Sequence, residues 1–421
     1  MKVIKYTYLF LFLTAFLFTS CGAQEKNVTE NQKLKIRSQE SETKDQKLIT
    51  YNPNPTIQNT LVLAVEKTNE YLPLLENKQI GIVTNQTGML KQQHLVDFLL
   101  SKGIDVTTIF SPEHGFRGKA DAGEKVKNGR DLKTGLPIIS LYGKNKKPTA
   151  AQLANVDILL FDIQDVGVRF YTYISTLHYI MEAAAEQHKK VIVLDRPNPN
   201  AHYIDGPVLE KGNESFIGMH PVPVVYGMTI GEYAQMINGE KWLKNNVQAD
   251  LTVIKMDHYT HQTSYDLPIK PSPNLPNAQS ISLYPSLCFF EGTTVSVGRG
   301  TDFPFQVYGA PYLKGDFQFI PKPNEGAKHP KNQGKTNYGK DLRSYPKMNR
   351  LHLSWLIEAR EQNRPLPNAF WLKNGFIHLL AGTKKLKQQI DQGMSEEQIR
   401  ASWQPGLEQF KRIRSQYLLY P

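Results

Sequence analysis

Along this chain, short apolar runs alternate with stretches spaced like amphipathic helices, and from about residue 57 the alternation is regular. Leu61 to Leu75 has helical spacing, through Leu61, Leu63, Ala64, Leu72, Leu74 and Leu75. Gln79 to Thr84 reads as a short buried strand. Gln92 to Lys102 reads as a helix, with Leu95, Val96, Phe98, Leu99 and Leu100 near one stripe. Val106 to Phe110 and Pro137 to Leu141 are the next strands, and Thr149 can cap a helix through Ala154. Val156 to Phe161 is almost continuously apolar, as expected of a strand covered by helices on both faces. A helix over Thr176 to Gln187 and strands at Lys190 to Leu194 and Val222 to Val225 follow. Then come a helix over Ile230 to Asn238 and a last strand at Leu251 to Lys255. Strands alternating with helices at this spacing predict a doubly wound parallel α/β sheet.

The pattern changes after about residue 260. Pro271, Pro273 and Pro276 punctuate a loop, and Ser280 to Phe290 reads as strand-like or extended. Glu291 to Asp302 is Gly-rich with Thr and Val alternating, and Pro321 to Tyr345 is polar and irregular. Helices return at Ser354 to Glu361, Leu380 to Gln392 and Glu396 to Tyr417, the last broken at Pro405. This predicts an α/β domain over residues 57–260, which holds most of the candidate chemistry described below. A second, smaller α+β domain, residues 261–421, packs over the sheet edge.

The N-terminus reads differently. Lys2 and Lys5 precede an apolar run from Tyr6 to Phe18, which is short for a membrane span and ends in Phe18-Thr19-Ser20-Cys21. This resembles a bacterial lipoprotein signal over residues 1–20, with Cys21 as the lipidated mature N-terminus. Residues 22–56 are polar and have almost no apolar clusters, so they read as a tether. The expected location is the cell envelope, held to the outer membrane by the anchor at Cys21. The other cysteine, Cys288, sits in an apolar stretch, so no disulfide is expected. The net charge of +11 is scattered, apart from short groups such as Lys144 to Lys147, and reads as solvated surface rather than a nucleic-acid face. No G-x-G-x-x-G or P-loop follows the first strand, where the loop is Thr84-Asn-Gln-Thr-Gly88, so no nucleotide cofactor is expected.

Candidate chemistry concentrates in six loops where strands should end. They start at Thr84, Ser111, Leu141, Asp162, Asp195 and Val225. In an open parallel sheet, ligands bind at the carboxyl ends of the strands. Glu113, between Pro112 and His114 and before Gly115, suits a general acid; capping a helix is the plainer role. Asp162 and Asp165 close the most apolar strand, and two carboxylates are what glycosidic hydrolysis usually needs. Asp195-Arg196 invites an ion pair, and Asp195 is also a candidate for holding substrate. Asn85, His114, Gln164, Tyr171, Asn198, Glu291 and Asp302 are polar or aromatic candidates for holding substrate. Arg117, Arg169 and Arg299 can each take a carboxylate in a bidentate pair. A metal site drawn from Glu113, His114, Asp162, Asp195 and His220 has no ligand spacing on one element, so none is assigned.

These loops together resemble the NamZ-type exo-β-N-acetylmuramidase family. The motifs are Thr84-Asn-Gln-Thr-Gly88, Ser111-Pro-Glu-His-Gly-Phe-Arg-Gly118, Asp121-Ala-Gly-Glu124, Phe161-Asp-Ile-Gln-Asp-Val-Gly-Val-Arg169 and Asp195-Arg-Pro-Asn198. Pro271 to Pro276, Glu291-Gly-Thr293, Val297 to Gly300, Pro304-Phe-Gln306, Ala381-Gly-Thr383 and the end through Tyr417 to Pro421 extend the resemblance from about residue 57 onward. It implies a Rossmann-like domain with a smaller C-terminal domain. It also implies release of N-acetylmuramic acid (MurNAc) from the non-reducing end of peptidoglycan fragments, at the MurNAc-β-1,4-GlcNAc bond, with Glu113 as the catalytic glutamate. The second catalytic group stays open among Asp165, Asp162 and the substrate's own N-acetyl group. An arginine is expected to hold the lactyl carboxylate. One departure is Tyr226, where relatives often have His. Two other classes stay open beside the hydrolase: a non-catalytic glycan-binding lipoprotein, and a metal-dependent esterase or amidase acting on wall polymers.

Overall fold

The computed structural model describes residues 60–113, 115–116, 128–366 and 370–421. Cys21 with the signal and tether, His114, Arg117 and the Asp121-Ala-Gly-Glu124 motif lie outside the described residues.

A seven-stranded sheet runs in the order Gly129–Arg130, Pro137–Ser140, Asp105–Ser111, Gln79–Thr84, Ile158–Asp162, Lys190–Leu194, Asp250–Ile254. All neighbours pair in parallel except the short edge strand Gly129–Arg130, which is antiparallel to Pro137–Ser140. Both faces are buried, and the period of two decides which core each side chain joins. Val83, Leu159, Phe161, Val191 and Val193 enter one core with the helix Tyr173–Glu186. Ile80, Ile82, Leu160, Ile192 and Leu194 enter the other with the helix Leu95–Ser101. The chain leaves Gln79–Thr84 toward one edge, then returns to place Ile158–Asp162 on its other side. The crevice between those two strand ends is the switch point where such sheets bind ligands.

The smaller C-terminal domain has a three-stranded antiparallel sheet in the order Val307–Ala310, Asn337–Asp341, Phe317–Phe319. Helices Ser354–Asn363, Phe376–Ala381, Lys385–Asp391, Glu396–Ala401 and Gln404–Arg414 surround it. Its apolar residues join the core on the Tyr173–Glu186 side of the large sheet, so both domains share one interior.

Three expectations differ from the structure. Val222–Val225 is no strand; Val225 makes only isolated bridges to Val168 and Asp205. Pro221 and Pro223 lack the N–H groups a ladder needs. The stretch read as extended from Ser280 is the helix Ala278–Leu287, capped by Asn277, whose side chain accepts from Ser280 N. An apolar run without alternation does not distinguish a buried strand from a buried helix. Pro285 sits inside that helix and cannot bond the carbonyl of Ile281; Asn200 Nδ2 bonds that carbonyl instead, at 3.3 Å. Asn337–Asp341 is a strand within the segment read as irregular. Gly339 permits it, because a Cβ there would lie 1.9 Å from the Tyr308 carbonyl oxygen.

Candidate active site

A cavity of about 360 Å³ opens between the loops of the large sheet and the C-terminal domain. Five of the six loops follow sheet strands; the sixth, at Val225, precedes the helix Ile230–Gly239. Glu113 stands just past Asp105–Ser111, in a turn whose Gly115 has φ +77° and donates to the Pro112 carbonyl at 3.1 Å. A positive φ is a conformation glycine adopts without strain. Thr172 Oγ1 donates to Glu113 Oε2 at 2.9 Å. Tyr142, from the loop after Pro137–Ser140, bonds the same carboxylate, and its hydroxyl pKa is pushed up by burial and by Glu113.

The opposite lining comes from the C-terminal domain. Glu291 and Arg299 form an ion pair there, Nε to Oε2 at 3.3 Å. Burial alone would raise the Glu291 pKa, but Arg299 and Lys331 outweigh it and hold the carboxyl below its ordinary range. Arg299 also lies 4.9 Å over the Phe305 ring. Aromatic rings fill the wall between: Tyr171 and Tyr173 meet edge to face at 4.8 Å, and Tyr284 meets Phe170 at 5.3 Å and Phe305 at 4.9 Å. Cys288 lines the cavity too, but burial and then Glu291 push its thiol pKa up, which keeps it protonated. The arrangement offers one carboxylate held by two hydroxyls, a second held anionic by cations, and stacking surfaces for a sugar ring.

Of the candidate residues, Glu113, Tyr171, Glu291 and Arg299 line this cavity, and several others do not. Asp162 is bound bidentately by Arg196, at 2.5 and 2.9 Å, deep in the frame. The ion pair anticipated between Asp195 and Arg196 is therefore replaced by one across strands, since adjacent side chains diverge. Asp195 accepts from Thr229 Oγ1 and Tyr420 Oη at 2.7 Å and from Gly231 N at 2.8 Å. Burial raises its pKa to about 7, against the bonds from Tyr420 and Thr229. Arg169 is fully buried and donates to the carbonyls of Pro207 at 2.8 Å, Val222 at 2.7 Å and Leu380 at 3.0 Å. It ties the Asp162 loop to the C-terminal domain and has no face toward the cavity, so it is no reader of a substrate carboxylate.

Asp165 lies behind the tyrosines. It accepts from Gly167 N at 2.7 Å and from the Tyr226 hydroxyl, and burial raises its pKa to about 6. The residue that departs from the family's histidine is thus spent on Asp165. Asn85 holds Thr87 through Oδ1 and donates to Tyr173 Oη at 2.9 Å, so it supports the cavity wall. Gln164 donates to the carbonyls of Asp165 and Pro197, and Asn198 to that of Met228. Asp302 is exposed and outside the lining. His220, weighed above as a metal ligand, is buried between His178 and Tyr233. Among the described residues no three His, Cys, Asp or Glu side chains are grouped to hold a metal.

Thr172, Asn274, Tyr284 and Lys331 were not singled out from sequence. Thr172 follows the loop that starts at Asp162, and Asn274, also in the cavity lining, lies inside Pro271 to Pro276; Lys331, in a polar stretch, carries no local signal.

Family models for exo-β-N-acetylmuramidase NamZ match the chain over residues 80–279 (the N-terminal part) and 282–420 (the C-terminal part). A relative from Bacillus subtilis (strain 168), peptidoglycan β-N-acetylmuramidase NamZ, is 41% identical over 377 residues, covering 83% of this chain and 89% of its own. Two crystal structures of DUF1343 family proteins from Bacteroides fragilis NCTC 9343 superpose with TM-scores of 0.79 and 0.75. They share 46% and 29% identity, and each match covers 86% of this chain and 99% of the other.

Proposed function

The chain belongs to the exo-β-N-acetylmuramidase NamZ family, and from that premise we propose how its cavity cleaves a muramic acid glycoside. The protein is an exo-acting glycoside hydrolase that releases N-acetylmuramic acid from the non-reducing end of peptidoglycan fragments. Glu113 gives its proton to the glycosidic oxygen as the bond to GlcNAc breaks. Thr172 and Tyr142 fix the carboxyl so that this proton is aimed at one oxygen. Positive charge develops on the sugar ring until water bonds the anomeric carbon, and the proton that water releases replaces the one Glu113 gave. Glu291, kept anionic by Arg299 and Lys331, is the group in the cavity suited to stabilise that charge. Asp162 and Asp165 have their carboxylates bonded in the frame behind the cavity, so this part falls to Glu291. Arg299, shared with Glu291, is the guanidinium that meets the lactyl carboxylate.

The observation that carries this reading is the shared lining of one cavity by two carboxylates in unlike surroundings. One is met by hydroxyls and the other by cations. The test is product analysis of the purified protein on MurNAc-GlcNAc beside GlcNAc-GlcNAc. Free MurNAc and GlcNAc are expected from the first and little release from the second. Equal cleavage of both would remove the lactyl group from recognition.

For placement, the reading is a lipoprotein of the cell envelope, anchored at Cys21 with residues 22–56 as a tether. The support is the apolar run ending at Ser20-Cys21 and the polar composition after it. Cys21→Ala should leave the protein in the soluble fraction; a variant that still sediments with membranes would sink the anchor.

A further inference from the structure

A second cavity of about 360 Å³ opens at the carboxyl ends of the large sheet. Leu267, Pro268 and Ile269 line it, while Ser272, Asn274 and Leu275, farther along the same loop, line the catalytic cavity. It takes in motif residues that the proposed reaction leaves unused. Thr87, Gln164 and Arg196 follow the strands Gln79–Thr84, Ile158–Asp162 and Lys190–Leu194, and all three line it. The first two strands flank the switch point, where sheets of this kind bind ligands. Two of these buried side chains keep one polar group uncommitted. Arg196, 5% exposed, spends Nε and Nη2 on Asp162 and the Met89 carbonyl, and its Nη1 makes no hydrogen bond among the described residues. Gln164, 4% exposed, donates Nε2 to the carbonyls of Asp165 and Pro197 at 2.8 and 2.6 Å. Both partners only accept, so the amide nitrogen faces them and Oε1 is left without a partner among the described residues.

We propose that this cavity binds an N-acetylhexosamine, as a saccharide site separate from the catalytic one. An acetamido group supplies both complements: its carbonyl accepts from Arg196 Nη1, and its N–H donates to Gln164 Oε1. The methyl group and the C–H face of the ring pack on Val65, Met89, Leu267 and Ile269. The charges of the lining cancel. Asp162 answers Arg196, and Glu66 stands against Lys91. A free carboxylate therefore finds no surplus cation to offset its desolvation. A sugar without an acetamido group has hydroxyls for the polar atoms but no methyl for the apolar wall, so it binds more weakly.

The loop shared by the two cavities is tied down between them. Gln86 Nε2 donates to the carbonyls of Lys270 and Pro271, each at 3.1 Å. Tyr173 Oη, in the catalytic lining, donates to that of Pro271 at 3.2 Å. A glycan whose hexosamine rests in the second cavity is therefore held beside the cavity that trims its non-reducing end. That use rests on the reaction proposed above; the binding itself does not.

The probe is GlcNAc-GlcNAc, followed by methionine-methyl NMR on the full protein. Among the described residues Met89 is the one methionine in this lining, and none lies in the catalytic lining. Its signal, assigned through Met89→Leu, therefore reports on this cavity. A saturable shift is expected. Cellobiose, the same β-1,4-linked rings without acetamido groups, should need a concentration at least about ten-fold higher for the same shift. Ile269→Trp enlarges a half-buried side chain of the lining; it should abolish the shift and leave hydrolysis of MurNAc-GlcNAc unchanged. A Met89 signal that GlcNAc-GlcNAc leaves in place overturns the proposal, as does an equal response to cellobiose or a full shift in Ile269→Trp. A shift by acetate at lower concentration than the disaccharide also overturns it and makes the cavity a carboxylate site. Failure of MurNAc-GlcNAc to be cleaved sinks the reaction and leaves this site standing, because its probe is read by binding alone.

Discussion

Two carboxylate–guanidinium pairs in this molecule show how the same chemistry serves opposite ends. Asp162 and Arg196 make two bonds, at 2.5 and 2.9 Å, with side chains 0% and 5% exposed. Glu291 and Arg299 meet with Nε to Oε2 at 3.3 Å, with side chains 23% and 21% exposed, in the lining of the cavity. In the first pair the carboxylate is closed by a planar fork, and the pair joins two neighbouring strand ends. In the second both side chains line the cavity, where a ligand's carboxylate can approach the guanidinium. A charged residue at a strand end is therefore not a site residue by its position. What decides is whether its bonds are complete within the frame.

Removing a group from the open region should cost rate and leave stability. Glu113→Gln keeps the shape and the acceptor for Thr172 but removes the transferable proton. General acid catalysis is worth ~10²–10⁴-fold, and turnover of the unactivated disaccharide should fall by that much. The melting temperature should barely move. Near-normal turnover by this variant would take Glu113 out of the mechanism.

Removing a group from the closed region should do the reverse. Among the described residues, Asp162→Ala leaves Arg196 buried with the Met89 carbonyl, at 3.3 Å, as its remaining acceptor. An orphaned buried charge costs roughly 3–5 kcal/mol, read as a shift of the denaturation midpoint. A variant that unfolds like the parent yet loses activity would move Asp162 back among the catalytic candidates.

The contrast also explains what could be read from sequence. The central strands were legible because covered parallel strands are apolar runs, and the site loops because polar motifs follow those runs. Glu113 stood out for that reason, and Glu291 and Arg299 stood out within the Gly-rich segment Glu291 to Asp302. Which loop residues turn inward was not legible, since it depends on partners far away in the chain. Asp162 meets Arg196 from the next strand, and Arg169 meets carbonyls as distant as Leu380. Lys331 reaches the site only through the C-terminal fold, where it donates to the carbonyls of Phe290 and Thr293. The misread strand at Val222 had its own signal in Pro221 and Pro223, which the apolar run obscured.

The comparison sharpens further at Arg299. Arg299→Met should raise KM for MurNAc-GlcNAc by about ten-fold, the worth of one charge-assisted contact. Slow cleavage of GlcNAc analogues should change much less, so discrimination narrows. Unchanged discrimination would assign the lactyl carboxylate to backbone amides of the Gly298 to Asp302 segment.

Asp165 is the smallest and most exacting case, because it sits behind the open region while bonded like the closed one. Burial raises its folded pKa to about 6, above roughly 3.9 for an unfolded aspartate. Between those values the folded carboxyl keeps a proton that the unfolded one has lost. Its contribution to stability is thus whole below about pH 4 and disappears as pH rises through 6. The slope is at most about 1.4 kcal/mol per pH unit. Asp195 acts with the same sign, while His178 and His220, whose pKa values burial lowers, act with the opposite one. The measurement is therefore the difference between the parent and Asp165→Asn. Asparagine can still accept from Tyr226 and Gly167, and its Nδ2 takes the place of the partnerless Asp165 Oδ1. The parent should lose stability relative to this variant between pH 4 and 6, and their activities should agree within about ten-fold. A flat difference would mean that Asp165 holds no proton in that window. A loss of several orders of magnitude in rate, with a displaced pH profile, would restore it as the second catalytic carboxylate in place of Glu291.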